Sequence, residues 1–187
     1  FLANDSNRSV DLFTGTLSMD DQQRNAWNTF LLDMRLLPGD RQPVYVISPS
    51  KEAVHPHLHP FPAGAQQIGS KVAEMIRDGG LDCVYPVEKL RTQEGSYYET
   101  DTHWSDRGAL VALQEAVSLF GYPDDISNLF DFENKKTLGD LGSKMTPHRF
   151  SLRAVAVPRG TDQSVNTFTS RQTMTGEFLI SKNSDPV

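Results

Sequence analysis

Asp101 and His103 stand two residues apart in the stretch Tyr97-Tyr98-Glu99-Thr100-Asp101-Thr102-His103-Trp104-Ser105. On extended backbone, residues two apart face the same side, and a tight turn brings them closer still. A carboxylate within reach of an imidazole nitrogen fixes the ring's tautomer and steadies the imidazolium. The other nitrogen is then left to exchange a proton with a reacting group. The spacing therefore makes Asp101 and His103 candidate catalytic residues; an acid and a histidine that merely close a turn before a helix give the same spacing. Such chemistry needs a nucleophile as its third member, and this stretch does not offer one. Ser105 is too close to His103 and is placed to cap the helix that follows. Trp104, the candidate substrate-binding residue, has two open roles: an apolar face for a sugar ring, or an ordinary core aromatic.

The elements that must position this pair follow from periodicity. A helix is expected from about Met19 to Leu37, capped by Ser18 with Asp21 three residues on. Trp27, Phe30, Leu31 and Met34 form its apolar face, and Pro38-Gly39-Asp40 ends it. Val44-Tyr45-Val46-Ile47 predicts a buried strand. A loop from Ser48 to Gly64 follows, and then a helix over Ala65 to Asp78 with Ile68, Val72, Met75 and Ile76 on one side, stopped by Gly79-Gly80. Cys83-Val84-Tyr85 predicts a second strand, and Pro86 to Arg91 a short helix with Pro86 at its first position. Asp106 to Phe120 is the clearest helix, with Ser105 as cap and Leu110, Leu113 and Val117 on one face. Together with Phe1-Leu2-Ala3 as the end of a strand, the alternation predicts an α/β fold with a parallel sheet flanked by helices. Ligands bind beyond the carboxyl ends of strands in such sheets, where Asp101 and His103 are expected. The last third changes character. Phe150 to Val157 alternates at period two, Thr167-Phe168-Thr169 and Glu177-Phe178-Leu179-Ile180 predict further strands, and the part from about 147 to 187 is expected to be β-rich. Leu138-Gly139-Asp140-Leu141-Gly142 is expected to form a structured loop near the site, where Asp140 either hydrogen-bonds within the site or caps a turn.

Composition narrows the function classes. The 187 residues suffice for one domain with a sizeable core. A net charge of −6 without a basic block argues against nucleic-acid binding. No apolar run approaches a membrane span. The single cysteine, Cys83, rules out an internal disulfide and is expected to be a small buried hydrophobe. His55, His57 and His59 alternate in the loop, but Pro56 and Pro60 make it irregular and no supporting carboxylate pattern accompanies them. Solvated histidines are expected there, with no metal and no cofactor.

Four segments taken together resemble the polysaccharide (alginate-type) O-acetyltransferase family, whose domain is SGNH-hydrolase-like. They are Phe1-Leu2-Ala3-Asn4-Asp5-Ser6-Asn7, Ser48-Pro49-Ser50-Lys51-Glu52, Asp101-Thr102-His103-Trp104 and Gly139-Asp140-Leu141. Their order and spacing agree up to about Met145, and the Asp-x-His-Trp signature is the most specific of them. The resemblance implies that Asp101 orients and His103 acts as general base, moving an acetyl group to a polysaccharide hydroxyl by Ser-His-Asp chemistry. In that family the serine lies later, in a Gly-Asp-Ser-type turn after a further strand. No Gly-Asp-Ser occurs here, and Ser184-Asp185-Pro186 lacks the glycine. The expectation is a single domain over residues 1–187, incomplete before the nucleophile strand and inactive by itself. Asn4 is an oxyanion-hole donor by resemblance, or the start of an Asx-turn. The implied partners are a polysaccharide and an acetyl donor such as a membrane acetyl carrier protein, and the implied location is periplasmic or otherwise extracytoplasmic. Two other functions fit the same residues: a non-catalytic carbohydrate-binding or scaffold module, and an acetyl esterase that passes the acetyl group to water.

Overall fold

A computed structural model describes residues 8–36, 43–65, 67–122 and 125–159. Helices α1 (Ser9–Thr14) and α2 (Asp21–Arg35) precede strand β1 (Val44–Val46). Helix α3 (Lys51–Val54) and a 3-10 turn (Pro56–Leu58) lead to α4 (Ile68–Asp78) and β2 (Asp82–Val84). Next come α5 (Val87–Thr92), α6 (Asp106–Ser118) and a 3-10 turn (Ile126–Leu129), then β3 (Phe130–Leu138), a further turn (Gly142–Lys144) and β4 (Phe150–Pro158).

The fold is mixed α/β. β1 and β2 pair in parallel, Tyr45 opposite Cys83, with α4 making the crossover between them. Leu31 of α2, Ile76 of α4 and Leu81 are buried together, with Trp27, Met34, Tyr45 and half-buried Cys83 packed around them. Phe30, placed by periodicity on the buried side of α2, is instead 41% exposed, its ring edge against Trp27 and Tyr45. The cap of α2 is Asp20 rather than Ser18. Gln23 N–H donates to its carboxylate at 2.7 Å, and Gln23 Oε1 accepts from Asp20 N–H at 3.1 Å. A carboxylate also suits the positive helix end better than a hydroxyl. Pro86 likewise sits at the cap of α5, one residue ahead of its expected place.

Two expectations about the sheet change. The run before Asp101 does not join it: Tyr97 and Trp104 form an isolated antiparallel bridge, so Asp101 and His103 occupy a turn rather than the end of a sheet strand. The β-rich part also begins earlier than 147, because β3 pairs with β4 over nine residues, from Phe130 opposite Pro158 to Leu138 opposite Phe150. β3 carries Asp131, Glu133, Lys135 and Lys136 and is largely exposed, so it lacks the apolar alternation that marks a half-buried strand. The segments Phe1–Asn7, Pro38–Asp40, Thr167–Thr169, Glu177–Ile180 and Ser184–Pro186 lie outside the described residues. No described helix is long and apolar enough to cross a membrane.

Helix α6 buries an unexpected face. Gly108, Ala112 and Ala116 are buried, whereas Leu113 is 48% exposed. Small side chains bring the helix close to the backbone ahead of it: a Cβ on Gly108 would overlap the Ser96 carbonyl and lie 3.2 Å from Trp104 Cβ. Helix propensity alone says that Gly108→Ala stabilises by about 1 kcal/mol. The packing reverses that sign, and we expect a net loss of about 1–3 kcal/mol. A fall in the urea midpoint at unchanged m-value is the expected result; a rise would show that α6 is not packed this closely.

Candidate active site

The turn from Tyr97 to Trp104 is held from beneath. The Tyr97 ring is buried with Val54 and Leu90, and its hydroxyl donates to the Pro49 carbonyl. Trp104 is half-buried against the same cluster. Ser105 closes the turn and starts α6, its Oγ accepting from Gly108 N–H at 3.1 Å and donating to the Gly95 carbonyl at 2.5 Å. With both functions of its hydroxyl engaged and a side chain that is buried, Ser105 is a structural cap.

Within the turn the two candidate residues meet. His103 Nδ1 lies 2.6 Å from Asp101 Oδ1, and the His103 backbone N–H donates to the same oxygen at 3.1 Å. The Asp101 side chain is 8% exposed and that of His103 76%. Asp101 Oδ2 accepts from the guanidinium of Arg153, which comes from β4 and lies 4.3 Å over the Tyr98 ring. Burial works against the charge on Asp101. The ring and backbone hydrogen bonds of His103 and the positive charge of Arg153 outweigh it, holding the carboxyl down at about 2. Since the carboxyl is ionised, the proton between it and the ring belongs to Nδ1. Nε2 then faces outward, and no described residue hydrogen-bonds it.

Two further elements complete the surroundings. Asp106, at the first position of α6, accepts from the Tyr98 hydroxyl at 2.6 Å and from Ala156 N–H at 2.8 Å. It thereby joins the turn, the helix and β4. Burial, followed by this carboxylate, pushes the Tyr98 phenol up to about 12. The loop after β3 packs against the turn as expected, and Asp140 serves both of its possible roles. Its carboxylate accepts from Thr102 N–H at 2.8 Å and Thr102 Oγ1 at 2.6 Å, and from its neighbour Leu141 N–H at 2.7 Å. A Cβ on Gly139 would overlap the Thr100 carbonyl, and one on Gly142 would overlap that of Arg149.

Arg153 was not evident from the sequence, although the period-two alternation places it with Ser151 on one face of β4. That face is turned inward: Ser151 is buried against Thr100, their hydroxyls 2.9 Å apart, while Phe150 and Leu152 are exposed. Polarity therefore points the opposite way from the usual rule, because the partner surface is the polar turn around Asp101. Ligand atoms of Asp101, His103 and Asp140 lie within 4.8 Å of one another. Both oxygens of each carboxylate already accept hydrogen bonds, however, and Arg153 supplies the positive charge beside Asp101. A cleft of about 450 Å³ between α5, α6 and β3 is lined by Lys89, Arg107, Val111 and Phe132 and does not include the pair. His103 instead stands at the open surface.

No protein-family model matches the chain, and no curated protein matches it. Among solved structures it is similar to the O-acetyltransferase domain of Pseudomonas putida AlgJ, at 20% identity and a TM-score of 0.46. The match covers 75% of this chain and 55% of that one, so the chain spans about half the length of the structure it matches.

The pairing of Asp101 has a consequence for stability. Its carboxyl titrates at about 2 in the folded protein against 3.8 ordinarily. The pair's stabilisation is therefore fully present above pH 3.8 and is lost as the pH falls through about 2. Asp101→Asn is expected to lower stability at neutral pH by on the order of 2 kcal/mol. The gap from wild type should narrow between pH 4 and pH 2. Urea denaturation of both proteins across that range checks this; a gap independent of pH would mean that the carboxylate is not selectively stabilised.

Proposed function

We propose that Asp101 and His103 are the orienting acid and general base of an acyl-transfer site that moves an acetyl group to a polysaccharide hydroxyl. The observation that carries this reading is the contrast within the pair. Asp101 is buried and ionised against Nδ1, and the imidazole beyond it is open to solvent with Nε2 unengaged by any described residue. A purely structural Asp–His contact has no need to leave the ring exposed. The Asp-x-His-Trp signature and the Gly139-Asp140-Leu141 segment point to the same chemistry.

In the proposed reaction a serine that residues 1–187 do not supply gives its proton to His103 Nε2 as its oxygen attacks the acetyl carbonyl. The donor's leaving group departs and takes up that proton. The acceptor hydroxyl then loses its proton to Nε2, attacks the acetyl-serine and releases the serine, which recovers the proton. Through both steps Asp101 stays ionised and balances the imidazolium. Arg153 holds Asp101 Oδ2 so that Oδ1 remains aimed at the ring. We place the protein in the periplasm or another extracytoplasmic space, with a polysaccharide acceptor and an acetyl carrier as partners.

Residues 1–187 alone are expected to release acetate from a chromogenic acetyl ester no faster than buffer. In a protein that carries the serine together with this chain, Asp101→Asn or His103→Ala is expected to lower acetyl transfer by about 10³–10⁴-fold. Turnover by residues 1–187 that a serine substitution within them abolishes would overturn the assignment, as would transfer insensitive to His103. Free acetate as the product, with the acceptor present, would make the protein an esterase. Glycan binding without turnover would make it a binding module.

A further inference from the structure

Lys51 lies outside the Asp101–His103 pair, yet its ammonium reaches into the back of the same turn. Nζ donates to the carbonyls of Tyr98 at 2.5 Å, Glu99 at 3.0 Å and Asp101 at 3.2 Å. An ammonium has three N–H donors, and here each has its own carbonyl. The carbonyl left over, that of Thr100, points the other way and accepts from Leu141 N–H at 3.1 Å and Gly142 N–H at 2.9 Å. Successive carbonyls on extended backbone alternate in direction. Three of four converging on one point therefore mark a curved turn, and the Lys51 ammonium sits at its centre.

The lysine itself starts from a fixed place. Ser50 caps α3 by accepting from Ala53 N–H at 3.2 Å, Arg91 donates to the Ala53 carbonyl at 2.9 Å, and Tyr97 donates to the Pro49 carbonyl. Among the described residues Lys51 forms no ion pair, although Glu52, Glu99, Asp101 and Asp140 are all close enough to act on its charge. Half-buried and bound to carbonyls instead of a carboxylate, it is unlike a solvated surface lysine pairing with a neighbour.

We infer that Lys51 is a positioning residue, whose ammonium sets the curvature of the 98–101 backbone and with it the angle at which the Asp101 carboxylate meets His103. Asp101 is held at two levels, its backbone carbonyl by Lys51 and its carboxylate by Arg153 and His103. Movement of the first displaces the second. This rests on the acid–base reading of the pair, and the test separates the two.

The readout is ¹H–¹⁵N NMR of the full chain. In the wild type, the Nδ1–H proton of His103 is expected as a far-downfield resonance, and the Lys51 ammonium as a slowly exchanging signal. Asp101→Asn should abolish the downfield resonance. Lys51→Met and Lys51→Gln should abolish it too, with the ring nitrogens averaging between tautomers while the α4 and β4 amides keep their shifts. Lys51→Arg, still cationic, should retain part of it, and Ile76→Val, destabilising but in the separate Leu31–Ile76–Leu81 cluster, should leave it intact. A wild-type resonance that Asp101→Asn removes and neither neutral Lys51 variant affects would overturn the inference while leaving the pair standing. So would a wild-type Lys51 ammonium that exchanges as fast as surface lysines, a measurement that needs no variant to fold. Absence of the downfield resonance in the wild type would instead overturn the pair.

Discussion

A carboxylate removed from water has to be matched by hydrogen bonds and opposite charge, or it takes up a proton. Asp101 meets that requirement with an imidazole and a backbone N–H on one oxygen and a guanidinium on the other. Much of the surrounding architecture serves to deliver those partners. β4 brings Arg153, 52 residues from Asp101 along the chain, across from a hairpin that starts at Phe130. Tyr98 gives the guanidinium an aromatic face, and Asp106 ties Tyr98 to both α6 and β4. Three glycines, 108, 139 and 142, let backbone approach where a side chain would overlap a carbonyl.

Arg153 and His103 hold Asp101 by its two different oxygens. Both stabilise its charge, but Arg153 also draws on the electron density that would otherwise support an imidazolium. A carboxylate shared with an arginine is a weaker partner for a protonated ring than one held by neutral donors. What the arrangement gains is direction: with Oδ2 fixed from β4, Oδ1 has one orientation toward Nδ1. Orientation of this kind is what a base needs to meet a hydroxyl in line. It also keeps the acid dry and the ring wet, an asymmetry that a chance contact between two surface side chains does not produce.

Short-range features of the sequence carried over well. Helices α2, α4 and α6, the Ser105 cap, strands β1, β2 and β4 and the loop around Asp140 all follow from spacing, breakers and capping chemistry within a few residues. What failed had its cause further away. The buried face of α6 is set by the Ser96 backbone pressing on Gly108, so Leu113 faces outward. β3 is largely exposed and carries four charged residues, leaving little apolar rhythm to detect. Lys51 stood in a segment already noted for resemblance, but nothing local says that its ammonium reaches carbonyls nearly fifty residues on.

By itself, then, the sequence determined that an acid and a histidine stand within reach of each other just ahead of a capped helix, since only one residue separates them. It could not determine that the acid is buried, that Arg153 and Lys51 hold the turn from two sides, or that Ser151 faces inward while Leu152 faces out. Those are decisions of the tertiary structure. Burial and long-range partnership depend on which surfaces close over one another, and that is settled when the hairpin docks against the turn.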